Sequence, residues 1–263
     1  MFSLILLTAF VPTADALSCL AGPGDVLPRD GARDVPVDAI PRIAMHYGQQ
    51  EHVTIQLVEA GSDAVISTTQ ELVDNPGSTE LLYLIPDASL SPETDYRIES
   101  LWEGETAPWV HATFTTGDAE MTATVEAPIV LDVSRDQGRS EWGSWRTINV
   151  DVDVDGAPPA SYLVQVSESE DFSEVQEIEM LGGIHDEGER RLGVGSGECG
   201  GTISLESGRY HVRVASVNYQ GERSDFVDAG SSLGCSAAAG GATLWGALLG
   251  FIGVCGLRRR RRR

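Results

Sequence analysis

Between residues 20 and 230 the sequence alternates apolar and polar residues with a period of two, and this pattern constrains the fold more than any other feature. The clearest segments of the first half span residues 41–46, 53–57, 80–85, 96–101 and 110–115. Those of the second half span residues 129–133, 148–154, 162–166, 175–180 and 210–217. No run of ten or more residues there shows the 3.6-residue period of an amphipathic helix. Short alternating segments predict strands, and therefore an all-β protein.

A break near residues 116–120 divides these strands into two groups. Turn-forming residues separate the segments within each group, for example at Asn75-Pro-Gly and Asp155-Gly156. Each group contains about 100 residues, which is the usual size of a β-sandwich. We therefore predict two tandem sandwiches, over residues 22–118 and 121–230.

A Leu, a tight turn and a Tyr precede one strand in each half. The first case is Leu90-Ser-Pro-Glu-Thr-Asp-Tyr96 and the second is Leu205-Glu-Ser-Gly-Arg-Tyr210. This arrangement is typical of the tyrosine corner of immunoglobulin-like sandwiches, in which the phenol hydroxyl bonds nearby backbone. We assign Tyr96 and Tyr210 a structural role.

The first half resembles a bacterial Ig-like domain of the SbsA type. The residues that carry the resemblance are the entry segment 28–37, the segment 90–96 and the exit strand Thr113-Phe-Thr-Thr-Gly117. The second half resembles a fibronectin type III domain in residues 162–166 and 210–218. It departs from that pattern where Val152 stands in place of a Trp, and residues 181–201 form a Gly-rich insertion.

The N-terminus has the organisation of a secretory signal peptide over residues 1–16. An apolar run at residues 4–11 is too short to cross a bilayer, and Ala14-Asp15-Ala16 follows it as an A-x-A cleavage site. No basic residue precedes the run, unlike most signals. Ala16 is the predicted processing position, and a lipoprotein signal at Cys19 is a weaker alternative.

The C-terminus has the features of a single membrane anchor. Residues 237–257 contain no charge, and as a helix they would be about 30 Å long, matching the hydrocarbon core. Six arginines follow, which predicts a cytoplasmic C-terminus. We expect a linker over 231–241, a transmembrane helix over 242–257 and an Arg tail over 258–263.

This C-terminal region resembles the MYXO-CTERM sorting tails of myxobacteria. The matching residues are Gly234-Cys235-Ser236, the small residues 237–241, the apolar stretch 244–257 and Arg258 to Arg263. The resemblance implies recognition by a membrane-embedded, sortase-like protease and delivery to the cell surface, with Gly234 and Cys235 as the sorting residues.

The charge of the chain excludes one class of partner. It contains no Lys, and removing the terminal Arg run leaves 12 Arg against 40 acidic residues, a formal net charge of −28. Such a surface repels phosphate backbones, so nucleic-acid binding is excluded. The charge favours calcium or cationic partners instead.

One acidic segment, Asp151-Val-Asp-Val-Asp-Gly156, begins like an EF-hand calcium loop. Position 12 of that loop is Tyr162 rather than Glu, and two prolines interrupt it. Alternation of Val with Asp favours a half-buried strand. Weak calcium binding by Asp151, Asp153 and Asp155 stays open, and no other cofactor is predicted.

Two further segments contain residues that could carry chemistry, and two tryptophans could bind a ligand. His185 stands among carboxylates in His185-Asp-Glu-Gly-Glu189, but no second His lies at a metal-binding spacing, which favours a solvated loop. The glycines of residues 193–201 lack the Lys-Ser/Thr of a phosphate-binding loop. Trp142 and Trp145 are expected to pack in the core or at its rim rather than to bind sugars or a partner.

The chain contains four cysteines. Cys255 lies in the predicted membrane helix, and Cys235 belongs to the sorting motif, so Cys19 and Cys199 remain as a candidate disulfide.

These features together predict an exported, non-enzymatic binding or spacer module that is anchored at the cell surface and has an unidentified protein or glycan ligand. The alternatives are a calcium-dependent adhesin and an envelope hydrolase. The hydrolase would use His185 with Asp186 or Glu187 in the 181–201 insertion.

Overall fold

The protein is all-β, as the alternation predicts. The computed structural model describes residues 25–46, 48–75, 79–121, 124–139, 144–155, 159–181, 184–186, 189–197, 200–201 and 203–232. Within these ranges the only helical segment is a single 3₁₀ turn, Gln49–Glu51. All named strand pairs are antiparallel.

The first half of the chain folds into eight strands. They are β1 (Val26–Leu27), β2 (Arg42–His46), β3 (Val53–Glu59), β4 (Ala64–Val65), β5 (Thr68–Asn75), β6 (Thr79–Pro86), β7 (Asp95–Trp102) and β8 (Trp109–Thr115). One sheet has the order β1-β2-β6-β5 and the other has the order β4-β3-β7-β8. This order of hydrogen-bonded neighbours is that of an immunoglobulin-like sandwich.

The second half supplies nine strands. They are β9 (Ile129–Arg139), β10 (Ser144–Asp153), β11 (Ser161–Ser167), β12 (Gln176–Met180), β13 (Ile184–Asp186), β14 (Glu189–Gly197), β15 (Gly200–Gly201), β16 (Tyr210–Val217) and β17 (Val227–Ser232). The sheets have the orders β13-β14-β10-β9 and β12-β11-β16-β17, and β15 pairs with β14. Apart from β15, the second sandwich therefore repeats the strand order of the first.

Each sandwich has its own hydrophobic core between its two sheets. The first core includes Ile43, Ile55, Leu84, Ile98 and Phe114, which are all buried. The second is rich in valine, with β-branched side chains from both sheets meeting in the middle. Alternate residues of the central strands enter these cores, so the intervening residues of those strands form the outer faces of the sheets.

A tyrosine closes one end of each core. The hydroxyl of Tyr96, at the start of β7, accepts a hydrogen bond from the backbone N–H of Ser91 at 2.9 Å. The hydroxyl of Tyr210, at the start of β16, accepts one from the backbone N–H of Glu206 at 2.8 Å. Both rings are buried, and both have the geometry of a tyrosine corner.

All ten alternating segments of the sequence coincide with strands, although Pro41, Val154 and Val175 lie one residue outside them. The prediction of a Gly-rich insertion over residues 181–201 is wrong. Residues 184–186 and 189–197 form β13 and β14, and β14 lies inside its sheet between β10 and β13. Its residues Leu192 and Val194 enter the core while Gly193 and Gly195 occupy the other face. Because glycine has no polar side chain, the outward positions of β14 do not show the alternation of apolar and polar residues in the sequence.

The two chain ends lie outside the described residues. This applies to the signal peptide with Ala16, to the linker after Ser232, to the membrane helix and to the Arg tail. No helix within the part of the chain that the structure describes is long and apolar enough to cross a membrane.

Candidate functional site: the junction between the sandwiches

The two sandwiches are joined by unlike faces. The outer face of the β1-β2-β6-β5 sheet of the first sandwich contacts the β12-β11 end of the second sandwich. On β2, Ile43 and Met45 point into the core, so Arg42 and Ala44 point toward the second sandwich. On β12, Ile178 points into its own core and Glu179 points toward the first sandwich.

An apolar cluster lies in the middle of this junction. Leu27 and Leu81 of the first sandwich are buried against Ala160 and Leu181 of the second. Tyr219 packs on the same cluster from the loop after β16. Removal of this surface from water favours the docked arrangement.

Arg42 is the central polar residue of the junction. Its side chain is 0% exposed, and its guanidinium forms an ion pair with Glu179. The same guanidinium donates to the Ser161 hydroxyl at 3.3 Å and to the backbone carbonyl of Asn218 at 2.9 Å. All three acceptors belong to the second sandwich, so the planar donor fork of one Arg binds three separate segments of the other unit.

Glu179 accepts hydrogen bonds from both sandwiches. The hydroxyl of Tyr83, on β6, donates to Glu179 Oε2 at 2.6 Å. The Tyr83 ring also lies under the Arg42 guanidinium, with 5.0 Å from Cζ to the ring centroid, which is within the range of a cation–π contact. Arg42, Tyr83 and Glu179 thus form a closed triangle in which each group contacts the other two.

Burial sets the electrostatics of this triangle. Removal from solvent raises the pKa of Tyr83, and the negative charge of Glu179 raises it further. The phenol is therefore held protonated and acts as a donor to the carboxylate. Buried ions need oppositely charged and hydrogen-bonding partners, because removal of each ion from water costs several kcal/mol.

Three further hydrogen bonds extend the junction beyond the triangle. The backbone N–H of Ile40 donates to the Tyr219 carbonyl at 2.9 Å. The Arg29 guanidinium donates to the Leu181 carbonyl at 3.3 Å, and Gln220 donates to the Asp38 carboxylate. Gly221 has a φ of +86°, and a Cβ placed there would lie 3.3 Å from Nη2 of Arg42. The turn that carries Gly221 therefore passes close to the guanidinium.

This arrangement holds two units in one geometry. A flexible linker needs only chain connectivity, whereas here an ion pair, a cation–π contact and an apolar cluster all cross the boundary. An alternative docking would leave these buried charges without their partners, which is costly in a low-dielectric interior.

The calcium candidates lie at the end of β10 and beyond it. The Arg191 guanidinium binds both carboxylate oxygens of Asp151, at 2.7 and 3.0 Å, and holds the pKa of Asp151 below its usual value. Asp153 accepts the backbone N–H of Val154, and Asp155 follows in an exposed bend. Over the described ranges, no group of three or more His, Cys, Asp or Glu side chains is placed to hold a metal ion.

The other predicted chemical residues fall in several places. His185 and Asp186 lie in β13 rather than in a loop, because their segment pairs with β14. Glu187, Cys19, Cys199, Gly234 and Cys235 are outside the described residues, and so is Trp142.

Trp145, which is predicted to pack in the core or at its rim, does not enter the core. It lies on the outer face of β10, where its ring covers Gly138 of the neighbouring strand β9. The ring is half-buried because a glycine rather than the core receives it.

Sequence reasoning missed the junction because its partners are distant in sequence. Arg42 and Glu179 are separated by 137 positions. Each stands between apolar neighbours in a strand, and the alternation assigns such positions to solvent. The polar phase of β2 is thus buried by a second domain rather than hydrated.

Comparisons with known proteins return structures with tandem Ig domains at low similarity. No protein-family model matches the chain, and no curated protein matches it. The N-terminal Ig1-2 module of the Drosophila receptor protein tyrosine phosphatase DLAR aligns at 14% identity and a TM-score of 0.28, covering 79% of this chain and 97% of that one.

Two further structures align over a similar share of the chain. Dpr11 IG1 bound to DIP-gamma IG+IG2 gives 9% identity and a TM-score of 0.22, covering 79% of this chain and 97% of that one. Pullulanase type I from Bacillus subtilis, complexed with maltose, gives 14% identity and a TM-score of 0.22, covering 75% of this chain and 24% of that one. At these values the architecture is argued from the strand order alone.

Proposed function

We propose that the protein is a non-enzymatic module of the cell envelope in which two docked sandwiches form one rigid spacer. The observation that carries this proposal is the complete burial of Arg42, bonded to three segments of the other sandwich. A junction of this kind resists bending, so the unit holds its outer surfaces at a fixed distance and angle from the point of attachment.

Export and anchoring are supported by the two ends of the sequence. The A-x-A site at residues 14–16, the uncharged stretch 237–257 and the six terminal arginines have the order of a signal, an anchor and a cytoplasmic stop. The MYXO-CTERM-like tail, with Gly234 and Cys235, supports surface delivery by a sortase-like protease. The net charge of −28 without the Arg tail keeps such a module soluble outside the cell.

Rigidity is tested by distance measurements between the two sandwiches. Spin labels at Val65→Cys and Val175→Cys, two exposed positions on different sandwiches, are introduced with the four native cysteines replaced by Ser. Double electron–electron resonance is expected to give a narrow distribution of distances between the two labels. Arg42→Met is expected to broaden it, while Arg191→Met, which removes an exposed ion pair within one sandwich, leaves it unchanged. A broad distribution in the parent protein contradicts the spacer.

Anchoring is tested separately by cell fractionation. Deletion of residues 233–263 is expected to release the protein from the membrane fraction, whereas the Cys235→Ala variant is expected to keep its anchor but fail to reach the surface. Retention of the truncated protein in the membrane fraction contradicts the anchoring model and leaves the rigidity result unaffected.

A further inference from the structure

The outer face of the β9-β10-β14 sheet carries a half-buried tryptophan surrounded by short polar residues. On β10, Ile148 and Val150 are fully buried, so Trp145, Thr147 and Asn149 point to the opposite side, away from the core. This face corresponds by strand order to the face that forms the junction in the first sandwich, but within the described ranges no hydrogen bond, ion pair or core cluster connects it to the other sandwich.

The Trp145 indole lies flat on the sheet. Gly138 is its cross-strand partner, and a Cβ built on Gly138 would lie 2.2 Å from Cζ2 and 2.5 Å from Cη2 of the indole. Because a Cβ bond leaves a sheet roughly at right angles, ring atoms at these distances lie directly over the glycine. One face of the indole therefore rests on Gly138 and the other faces away from the sheet, and the side chain is half-buried.

Polar groups beside the ring hold its orientation and supply hydrogen bonds. Asp136 Oδ2 accepts the indole Nε1–H at 3.4 Å. The Thr147 hydroxyl and the Asn149 amide follow along the strand, and neither bonds another residue of the described part of the chain. Gly193 lies opposite Asn149, and a Cβ there would lie 3.4 Å from both Asn149 Oδ1 and Thr147 Cγ2, so glycine leaves a shallow depression beside them.

From this geometry we propose that the Trp145 face, consisting of Trp145, Gly138, Asp136, Thr147, Asn149 and Gly193, binds a neutral polysaccharide of pyranose units with equatorial hydroxyls. The C–H groups of such a sugar ring stack on the free indole face, and the hydroxyls of the next unit reach the amide and hydroxyl groups along β10. About 20 Å of strand separates Trp145 from Asp151, enough for more than one sugar unit.

The electrostatics select a neutral ligand over an anionic one. Farther along this face, the Arg191 guanidinium is bound to both carboxylate oxygens of Asp151. Asp136 and the net negative charge of the body repel polyanions. An apolar peptide anchor is disfavoured because hydroxyl, amide and carboxylate groups surround the ring, whereas the centre of a protein interface is apolar.

This inference does not depend on the proposed spacer function, since the face lies within one sandwich. It is tested by isothermal titration calorimetry on the full chain in a detergent without a sugar headgroup. The probes are cellohexaose and chitohexaose, with polygalacturonate as an anionic glycan and hexalysine as a cationic peptide. We expect binding of at least one neutral oligosaccharide and none of polygalacturonate.

Three variants identify the face. Trp145→Ala is expected to weaken binding about tenfold or more, since it removes the stacking surface. Gly138→Ala keeps the indole but lifts it from the sheet, and is expected to weaken binding in a protein whose melting curve shows that it remains folded. Trp109→Ala removes another exposed tryptophan, on the first sandwich, and is expected to bind like the parent.

Absence of binding to both neutral oligosaccharides, or equal binding by the parent and Trp145→Ala, overturns the proposal. Binding of hexalysine alone, lost in Trp145→Ala, also overturns it in favour of a cationic peptide ligand.

Discussion

Asn75 and Glu179 exchange two hydrogen bonds across the junction. The Asn75 side-chain amide donates to the Glu179 carbonyl at 3.2 Å, and the Glu179 backbone N–H donates to Asn75 Oδ1 at 3.0 Å. β5 is the edge strand of its sheet. At this edge the Asn75 amide binds the backbone of β12 in the way that a neighbouring strand would.

Asn75→Ala is expected to destabilise the protein by about 1–3 kcal/mol, because a buried N–H and a buried carbonyl of Glu179 both lose their partner. Urea denaturation gives the free energy of unfolding. An unchanged midpoint would mean that water replaces the amide and that this end of the junction is open.

Arg42→Met is expected to cost about 3–5 kcal/mol, since it leaves the Glu179 carboxylate buried without its cation. The double variant Arg42→Met/Glu179→Met removes both charges and is expected to recover much of this loss. Arg191→Met, which breaks the exposed pair with Asp151, is the matched control and is expected to cost less than about 1 kcal/mol. Equal losses of stability for Arg42→Met and Arg191→Met would show that the buried ion pair of the junction stabilises the protein no more than an exposed ion pair does.

Tyr83→Phe is expected to change how stability depends on alkaline pH. Burial raises the pKa of Tyr83 in the folded protein, so above pH 10 the folded state binds more protons than the unfolded state. Its stabilising effect is complete below pH 10 and is lost as the pH rises through the folded pKa. Denaturation between pH 8 and 11 should therefore show a steeper decline for the parent than for Tyr83→Phe, and parallel curves would contradict the assignment.

Gly195→Ala tests the backbone of β14, which lies inside its sheet between β10 and β13. Gly195 has a φ of +149°, and a Cβ there would lie 2.0 Å from the Arg146 carbonyl oxygen. The strained conformation alone costs about 1–3 kcal/mol, and the clash adds to it. Gly61→Ala, in an open turn with nothing within 4 Å of the added Cβ, is expected to be neutral when the two melting temperatures are compared.

Tyr96→Phe and Tyr210→Phe each remove one hydroxyl that holds the turn before a central strand. A loss of about 0.5–1.5 kcal/mol is expected for each, with the core packing of the ring preserved. Thermal unfolding of both variants measures it. A loss at one site only would show that the two sandwiches do not use the corner equally.

The sequence predicts the strands that have one buried face and fails where that asymmetry is absent. β3 and β16 alternate clearly because one side of each meets a core. β5 was missed because most of its residues are exposed, so it carries little apolar signal. β14 was missed because glycines occupy its outer face beside the buried Leu192 and Val194.

The junction could not be predicted from local pattern at all. A strand with Arg42 between Pro41 and Ile43 has the same alternation whether its polar side meets water or a second domain. What distinguishes the two cases is a complementary carboxylate 137 positions away, and period-two reasoning carries no information at that range.

The two sandwiches share one strand order yet meet through different surfaces, the β1-β2-β6-β5 sheet of one against the β12-β11 end of the other. Such a contact has no twofold symmetry, because each sandwich contributes a different surface to it. The pair consequently has a head and a tail. If the chain is anchored through its C-terminus as we propose, the second sandwich lies next to the membrane and the first sandwich faces outward.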